Sequence, residues 1–266
     1  MSLSFGGLYH LARNGMMARQ LDMDGISNNL ANIHTKGFKQ TRTNFQELLN
    51  GKMISGTASV SSQADTSQGV LSISDNPLDW GIEGEGYFAI KLPDGKTGYT
   101  RAGNFSLDNA GSIITPEGNK LDWVGTVPKD ADLVNVDLNG TIKARADGLV
   151  KYEYGEDPNK ITEYKMERVW RDIGSVKLST FNNPTGLESF GSNIWLESKA
   201  SGTATAGVPG SKDFGQIRGY AMEESNVNMT EELTHLIRTQ RGFDSASKAL
   251  QKTDEMISLA IRMRQG

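Results

Sequence analysis

The sequence predicts a mixed fold, a mainly antiparallel β body with long N- and C-terminal α-helices that pair in a coiled-coil-like domain. Apolar residues recur at helical spacing over both ends of the 266-residue chain. Short runs of β-forming residues fill the middle, and 30 glycines against 7 prolines agree with many tight turns there. The predicted domains are helices at 1–34 and 226–266, a β-rich body at 77–197, and connectors at 35–76 and 198–225.

The N-terminal segment has apolar residues at alternating steps of four and three, the spacing of a helix packed on other helices in a coiled coil. Arg19 is the one charged residue in this row. Four glycines, Gly15 and Gly25 among them, each lower helix stability by up to about 1 kcal/mol relative to alanine. We therefore expect a helix that needs partners, although packing on the chain's own core fits the same pattern. Its candidate assembly positions are Phe5, Tyr9, Ala12, Met16, Met23, Ile26, Leu30 and Ile33.

The C-terminal segment predicts one helix of more than thirty residues, because no proline lies between Asn228 and Gly266. Large apolar residues recur every seven positions with small residues between them, which is typical of a coiled-coil partner. Asn228 can cap this helix, and Glu231 three residues later can complete a capping box. The candidate assembly positions of this helix are Leu236, Phe243, Ala246, Leu250, Ile257 and Ala260.

The middle of the chain has strand patterns at residues 88–92, 112–115 and 175–181. Alternating residues flank Asn139-Gly140, the strongest signal for a two-residue hairpin turn, and a second turn is predicted at Asp147-Gly148. No helical pattern lies between these strands, which favours an antiparallel body over alternating strands and helices.

Two low-complexity stretches flank this body, at residues 55–69 and 198–215. Both are rich in Ser, Thr, Gly and Ala and contain few large apolar residues. Such segments bury too little apolar surface to offset the entropy lost on ordering, so we expect mobile connectors.

Composition and spacing exclude several functions. The net charge of −4 argues against a nucleic-acid-binding surface, which needs a clustered basic face. The absence of cysteine excludes disulfides, thiolate zinc sites and cysteine nucleophiles. The three histidines have no metal-ligand spacing, and the glycine-rich segment 81–86 precedes a strand, so it is not a phosphate-binding loop. We therefore predict no catalytic residue, cofactor, metal, membrane insertion or cleavable signal peptide.

The N-terminal apolar row ends in a polar segment in which Asn28, Asn29 and Asn32 lie off the row. Asparagine slightly destabilises helix interiors but suits helix ends and turns. Gly37 can adopt the left-handed conformation that closes a helix, and Phe38 can then pack back on it. The segment predicts a helix end followed by a turn, with amides available to neighbouring chains.

Three segments share one family resemblance. They are GISNNLANIHTKGFKQTRTNFQELL at 25–49, NPLDWGIEGEGYFAIKLPDGKTGYTRAGNFSLDNAGSI at 76–113, and ESNVNMTEELTHLIRTQRGFDSASKALQKTDEM at 224–256. Together they resemble the flagellar basal-body rod and hook protein family. The resemblance implies a structural subunit of the bacterial flagellar basal-body rod, not an enzyme. Its terminal helices would polymerise as the inner wall of a hollow drive shaft that transmits torque from motor to hook. The β body would lie outside, and residues 35–76 would bridge neighbouring subunits.

The resemblance also implies partners and a location. The partners are further copies of the chain, other rod and hook subunits, the flagellar type III export apparatus and the ring proteins around the rod. The subunit would be exported without a cleavable signal peptide and would lie in the basal body, crossing the periplasm.

Some segments point to different members of the family. Residues 181–202 are most similar to the distal rod protein, whereas the short segment between Leu49 and Asn76 is closer to a proximal rod component. Two positions depart from the family pattern. Gly242 replaces a larger residue, and Arg19 stands where a neutral residue is more common.

A different hypothesis is a monomeric, envelope-associated module that binds peptidoglycan or another glycan and pairs its terminal helices within one chain. Its candidate contact residues are Trp80, Trp123, Trp170 and Trp195, and core or subunit-contact positions suit these tryptophans as well. An enzyme built from scattered carboxylates is a third hypothesis, which no clustering of acidic residues supports.

Overall fold

The computed structural model describes residues 5–47, 58–154 and 161–265, which fall into two compact units. The helical unit comprises Met1–His34, Lys39–Ser67 and Asn226–Gly266. The β unit comprises Thr35–Phe38 and Gln68–Ser225. The chain therefore enters and leaves each unit more than once.

Long helices and a hairpin build the helical unit. The helices are α1 (Phe5–Ala31) and α2 (Met229–Gln265), and the antiparallel hairpin consists of β1 (Thr41–Glu47) and β2 (Ala58–Ala64). The Oδ1 atom of Asn228 accepts a hydrogen bond of 3.0 Å from the N–H of Thr230, so Asn228 caps α2 as predicted. The prediction of a C-terminal helix longer than thirty residues is confirmed, since α2 has 37 residues.

Short strands build most of the β unit, with one long ribbon formed by β12 and β13. The strands are β3 (Leu71–Ile73), β4 (Trp80–Glu83), β5 (Tyr87–Lys91), β6 (Thr97–Thr100), β7 (Ser106–Leu107), β8 (Ile113–Ile114), β9 (Lys120–Leu121), β10 (Trp123–Gly125), β11 (Leu133–Val136), β12 (Thr141–Tyr154), β13 (Ile161–Val176), β14 (Leu178–Thr180), β15 (Glu188–Gly191), β16 (Ile194–Leu196), β17 (Thr205–Gly207), β18 (Gln216–Gly219) and β19 (Ala221–Glu223). A 3₁₀ turn spans Pro184–Gly186.

Antiparallel pairing organises these strands. The largest sheet has the order β15-β16-β6-β5-β9-β8-β7, and β14 pairs with both β5 and β17. A second sheet has the order β10-β13-β12-β11. Strands from opposite ends of the unit also pair, β4 with β18 and β3 with β19. The predicted mixed fold with a mainly antiparallel β body is confirmed.

The core of the β unit is centred on aromatic side chains. Phe105 makes edge-to-face contacts with Trp80 and Phe88, at ring-centroid distances of 5.3 and 5.2 Å. Trp80 and Phe88 are completely buried, and the indole N–H of Trp80 donates a hydrogen bond of 3.0 Å to the carbonyl of Pro77. Each buried aromatic side chain contributes about 1.5–3 kcal/mol, so the three rings together contribute about 5–9 kcal/mol.

The strand predictions in the body agree with the structure within one or two residues, with one refinement. Residues 88–92 correspond to β5, and residues 112–115 contain β8. The run at 175–181 is divided, because β13 ends at Val176 and β14 begins at Leu178. This break lets the chain pass from the second sheet to the largest one.

The predicted hairpin at Asn139-Gly140 forms, but with a three-residue loop. The N–H of Gly140 donates to the carbonyl of Asp137 at 2.8 Å, and the N–H of Asp137 donates to the carbonyl of Thr141 at 2.9 Å. Gly140 has a φ of 78°, so it occupies the left-handed position that follows a type I turn in such loops.

The predicted turn at Asp147-Gly148 is wrong. β12 runs without interruption through these residues, and Gly148 lies opposite Glu167 in β13. A β-carbon on Gly148 would lie 2.5 Å from Nη2 of Arg171 and from Cγ2 of Val169. The glycine therefore makes room for side chains from the neighbouring strand and does not reverse the chain.

Both low-complexity stretches contain regular structure, which differs from the predicted mobile connectors. β2 lies within residues 55–69, and β17 lies within 198–215, where it pairs with β14. Ser201 is buried, and the Oγ of Ser198 accepts hydrogen bonds from the N–H groups of Ala200 and Ser201. Small polar side chains can satisfy the local backbone in this way, so low hydrophobicity does not prevent order.

We predict that Gly103→Ala destabilises the β unit by about 2–3 kcal/mol. A β-carbon at this position would lie 1.7 Å from the carbonyl oxygen of Trp80, and rigid backbone must move to relieve such a contact. Gly95→Ala is the control, because its β-carbon meets no atom within 4 Å and only its φ of 82° is unfavourable. Urea unfolding followed by tryptophan fluorescence measures both changes. Equal unfolding midpoints for the two variants would contradict the prediction.

Candidate assembly interface

The helices α1 and α2 contact each other in antiparallel orientation. The hydroxyl of Thr239 donates a hydrogen bond of 2.8 Å to Oδ2 of Asp22, and Nε2 of His235 lies 3.7 Å from the same oxygen. One turn earlier in α1, Arg19 lies beside Gly242 of α2. Lower-numbered residues of α1 therefore contact higher-numbered residues of α2, which is the antiparallel arrangement. Both helices belong to one unit.

The predicted apolar rows are partly covered in the single chain. On α1, Ile26 is buried, whereas Met16, Met23 and Leu30 are half-buried. Ile33 lies two residues beyond the end of α1 and is half-buried. On α2 the half-buried positions are Leu236, Phe243, Ala246, Leu250 and Ile257. The side chains of Phe5, Tyr9, Ala12 and Ala260 lie outside the described part of the structure. The rows thus retain apolar surface that one chain does not bury.

Buried polar residues were missed by the apolar pattern. Asp22 is 6% exposed and Thr239 is 1% exposed, although neither belongs to the large apolar residues of the two helices. A row from Arg19 through Asp22 and Ile26 to Asn29 has the three-and-four spacing of one helix face, so spacing alone could have identified it. Ranking by hydrophobicity concealed this row because three of its four members are polar.

Arg19 and Gly242, the two positions at which the resemblance predicts a departure from the family pattern, lie next to each other. A β-carbon built on Gly242 would lie 3.1 Å from Nε and 3.5 Å from Cδ of Arg19. The long arginine side chain thus occupies the space that a larger residue at 242 would need.

The asparagines at the end of α1 have distinct roles. Asn29 is buried, and its side chain both donates to the carbonyl of Thr41 at 3.0 Å and accepts from its N–H at 2.9 Å. Asn32 follows the last residue of α1, and its side chain donates to the carbonyl of Asn28 at 2.9 Å. Asn28 is exposed. Asn29 therefore anchors β1 on α1, while Asn32 terminates the helix.

Gly37 does not close α1, which corrects the sequence-based prediction. The helix ends at Ala31, and Gly37 belongs to a turn in which the N–H of Phe38 donates to the carbonyl of Thr35 at 3.3 Å. Gly37 has a φ of 67°, and its N–H donates to the carbonyl of Glu223 at 2.8 Å. This turn belongs to the β unit, and Phe38 is half-buried there.

Further apolar side chains of the two helices are exposed and lie outside the predicted rows. On α2 they form one group one turn apart near the start of the helix and a second group near its end. The exposed residues are Met229, Leu233, Ile237, Met256, Leu259 and Met263 on α2, with Met17 and Leu21 on α1. Met263 is 78% exposed, and Leu259 is 60% exposed. We call these eight residues the exposed apolar rows.

The tryptophans are mostly unsuited to contact a glycan. Trp80 is completely buried, while Trp123 and Trp195 are half-buried against the two apolar clusters of the β unit. Trp170, on β13, is 48% exposed. One exposed ring among the four gives the binding-module hypothesis little support.

Two absences within the described residues bear on other functions. Residues 5–47, 58–154 and 161–265 contain no group of three or more His, Cys, Asp or Glu side chains that could hold a metal ion. In the same part of the chain, neither helix is apolar enough over a sufficient length to cross a bilayer.

Sequence profiles of three related families match the chain. The profile described as "Flagella basal body rod protein" matches residues 10–39, and "Flagellar hook protein FlgE/F/G D1 domain" matches residues 81–144. The profile "Flagellar basal body rod FlgEFG protein C-terminal" matches residues 218–263. These matches cover most of α1, part of the β unit and most of α2.

Individual relatives match over nearly the whole length. The flagellar basal-body rod protein FlgG of Caulobacter vibrioides is 35% identical over 273 residues, covering 95% of this chain and 97% of the relative. FlgG of Bacillus subtilis is 34% identical over 271 residues, covering 94% and 96%. The flagellar basal-body rod protein FlgF of Mesorhizobium japonicum is 29% identical over 256 residues, covering 95% of each.

We predict that Asn29→Ala destabilises the helical unit by about 1–3 kcal/mol, because it leaves the N–H and carbonyl of Thr41 without their side-chain partners. The matched control is Asn28→Ala, an exposed neighbour whose replacement changes stability by no more than about 0.5 kcal/mol. Chemical unfolding gives the free energies, and hydrogen exchange of the Thr41 amide reports the local contact. Unchanged exchange in Asn29→Ala would contradict the assigned role.

Glycine-to-alanine changes in the helices are expected to stabilise them to different degrees. At Gly15 a β-carbon meets nothing within 4 Å, so Gly15→Ala gains about 1 kcal/mol of helix propensity. Gly242→Ala gains less, because the Arg19 side chain must move by a few tenths of an ångström. Thermal unfolding followed by circular dichroism at 222 nm ranks the two variants. A larger gain for Gly242→Ala would show that Arg19 does not fill that space.

Proposed function

The chain belongs to the flagellar basal-body rod protein family, and we propose that it polymerises through its terminal helices into the hollow drive shaft that transmits torque from motor to hook. Family membership makes it a structural subunit of the rod. Polymerisation, the tubular form and torque transmission are the proposed additions.

The exposed apolar rows are the observation that supports polymerisation most directly. A 37-residue helix is about 55 Å long, and α2 carries exposed apolar side chains near both of its ends. Burial of one such side chain stabilises an association by about 1.5–3 kcal/mol, and contiguous exposed apolar surface marks interaction sites. Neighbouring helices of further subunits would provide that burial along the whole length of α2.

The two helix surfaces would then have separate roles. The rows that include Met16, Met23, Phe243 and Leu250 are half-buried within one chain, and assembly would complete their burial. The exposed apolar rows would contact other subunits only. This division follows from the antiparallel pairing of α1 and α2, which occupies one side of each helix.

The proposed partners are further copies of the chain, other rod and hook subunits, the ring proteins around the rod and the flagellar type III export apparatus. Passage through a narrow export channel requires a chain that unfolds readily. Glycines within α1 and α2, such as Gly15, Gly25 and Gly242, keep isolated helices marginal and suit that requirement. The β1–β2 hairpin lies in the segment 35–76, for which we propose a bridging contact between neighbouring subunits.

We predict that the double variant Leu233→Ser/Ile237→Ser folds normally but assembles poorly. Both side chains are exposed in the single chain, so the free energy of unfolding of the monomer should change little. Loss of their burial between subunits should raise the concentration needed for assembly at least tenfold. Electron microscopy of the concentrated full-length protein shows whether tubes or fibres form, and swimming of a bacterium lacking its own copy tests function.

Val124→Ser is the matched control, because Val124 is 72% exposed in the β unit and lies outside the helices. It should assemble and support swimming like the unmodified protein. Monodisperse unmodified protein at high concentration, or normal assembly of the double variant, would refute polymerisation through the helices.

A further inference from the structure

A polar cleft within the helical unit is not explained by the contact between the helices. Its walls come from α1, from the start of β1 and from the first turns of α2, and it encloses about 530 Å³. Asp22 and Asn29 line it from α1, Gln40 lies at the β1 side, and Glu232 and His235 line it from α2. The cleft is open to solvent along one side of α2, where Thr234 is exposed.

Glu232 is the unusual group in this cleft. It is 3% exposed, and Oε1 accepts a hydrogen bond from the side-chain amide of Gln40. Among the described residues, Oε2 has no hydrogen-bond partner although it is fully buried. A buried carboxylate without sufficient donors costs several kcal/mol, because water no longer solvates its charge.

The other buried polar groups that line the cleft have partners. Asp22 accepts the hydroxyl hydrogen of Thr239, and Asn29 is paired with the backbone of Thr41. The two arginines that line the cleft do not donate a hydrogen bond to Oε2 of Glu232. Arg42 pairs with Asp65 at 3.3 Å, and Arg238 is about 9 Å further along the axis of α2 than Glu232.

Oε2 of Glu232 indicates which class of ligand the cleft can bind. A carboxylate oxygen in a partly desolvated site binds a charged N–H donor most strongly, either an ammonium or a guanidinium group. A divalent cation would need several oxygen ligands, and the described residues contain no cluster of three acidic or histidine side chains that could supply them. The volume admits the end of a long basic side chain.

We propose that this cleft receives a lysine or arginine side chain from a second copy of the chain, which donates to Oε2 of Glu232. The inference rests on the proposed polymerisation. Leu233 and Ile237 lie about 100–140° around α2 from Glu232, so the cleft and the exposed apolar rows are on different sides of the helix. Head-to-tail association brings such unlike surfaces together, as an open helical assembly requires.

Exposed basic residues farther along α2 provide the donors, namely Arg241, Lys248 and Arg262. They lie about two, four and eight turns beyond Thr234 in the C-terminal direction. In a staggered head-to-tail array, one of them can reach the cleft of the next subunit. This charged hydrogen bond would also fix the stagger between neighbouring subunits, which apolar contacts alone do not specify.

The test compares Glu232→Gln with Glu231→Gln in the full-length chain. Both changes remove one negative charge from the first turn of α2, but Glu231 is exposed and Glu232 is buried. Glutamine keeps the acceptor for Gln40 and removes the charge. We expect Glu232→Gln to leave the unfolding midpoint unchanged or raised, and to raise the concentration at which assembly begins at least tenfold relative to Glu231→Gln.

A mutant cycle identifies the donor. One of Arg241→Gln, Lys248→Gln and Arg262→Gln should reproduce the assembly defect of Glu232→Gln, and combining that change with Glu232→Gln should cause no further loss. Additive losses for all three, or equal assembly of Glu232→Gln and Glu231→Gln, would overturn the inference. The apolar variant Leu233→Ser/Ile237→Ser separates this outcome from failure of the proposed polymerisation, since it should still assemble poorly.

Photocrosslinking in cells tests the occupant directly. Benzoylphenylalanine in place of Thr234, which lines the cleft and is exposed, should crosslink to a second copy of the chain in assembled basal bodies. The crosslink should weaken when Glu232→Gln is added. A crosslink to a different protein, or none in basal bodies that contain the chain, would overturn the proposal.

Discussion

The hydrogen bond from the Thr239 hydroxyl to the Asp22 carboxylate joins residues 217 positions apart, and the helical unit depends on this contact between distant segments. Both residues are buried, so loss of either partner leaves the other unsatisfied at a cost of about 1–3 kcal/mol. Closing so long a loop also costs chain entropy, which the half-buried apolar rows must offset. The contact between α1 and α2 therefore depends on burial along both helices as well as on this hydrogen bond.

Glu223 has the corresponding role in the β unit. Its carboxylate pairs with Arg101 at 3.2 Å and accepts the N–H of Gly69 at 2.9 Å, while its carbonyl accepts the N–H of Gly37. The guanidinium of Arg101 also lies 5.2 Å from the ring centroid of Tyr87. A buried ion pair adds little net stability, yet loss of one partner costs about 3–5 kcal/mol. This group of contacts therefore fixes which segments of the chain meet.

Apolar periodicity and turn residues predicted the helices, the start of α2 and the antiparallel body. Each of these features is determined by residues that are close together in the sequence. Glycines were less informative. Gly148 provides space inside a strand and Gly37 forms a turn of the β unit, and a sequence does not distinguish these uses from a turn or a helix end. On α2 the seven-residue spacing selected Leu236 over the equally apolar Leu233, and Leu236 is half-buried whereas Leu233 is exposed. Spacing alone does not tell whether the selected side contacts α1 of the same chain or a helix of another subunit, because both contacts use the same pattern.

The antiparallel pairing of α1 with α2 also sets the order of events during synthesis. Every residue of the β unit precedes α2 in the sequence, so that unit can fold on the ribosome while α1 still has no helical partner. The helical unit becomes complete only when α2 has emerged. Under the proposed polymerisation, competence to join other copies would be the last property that a newly made chain acquires, and incomplete chains would be unable to seed an assembly.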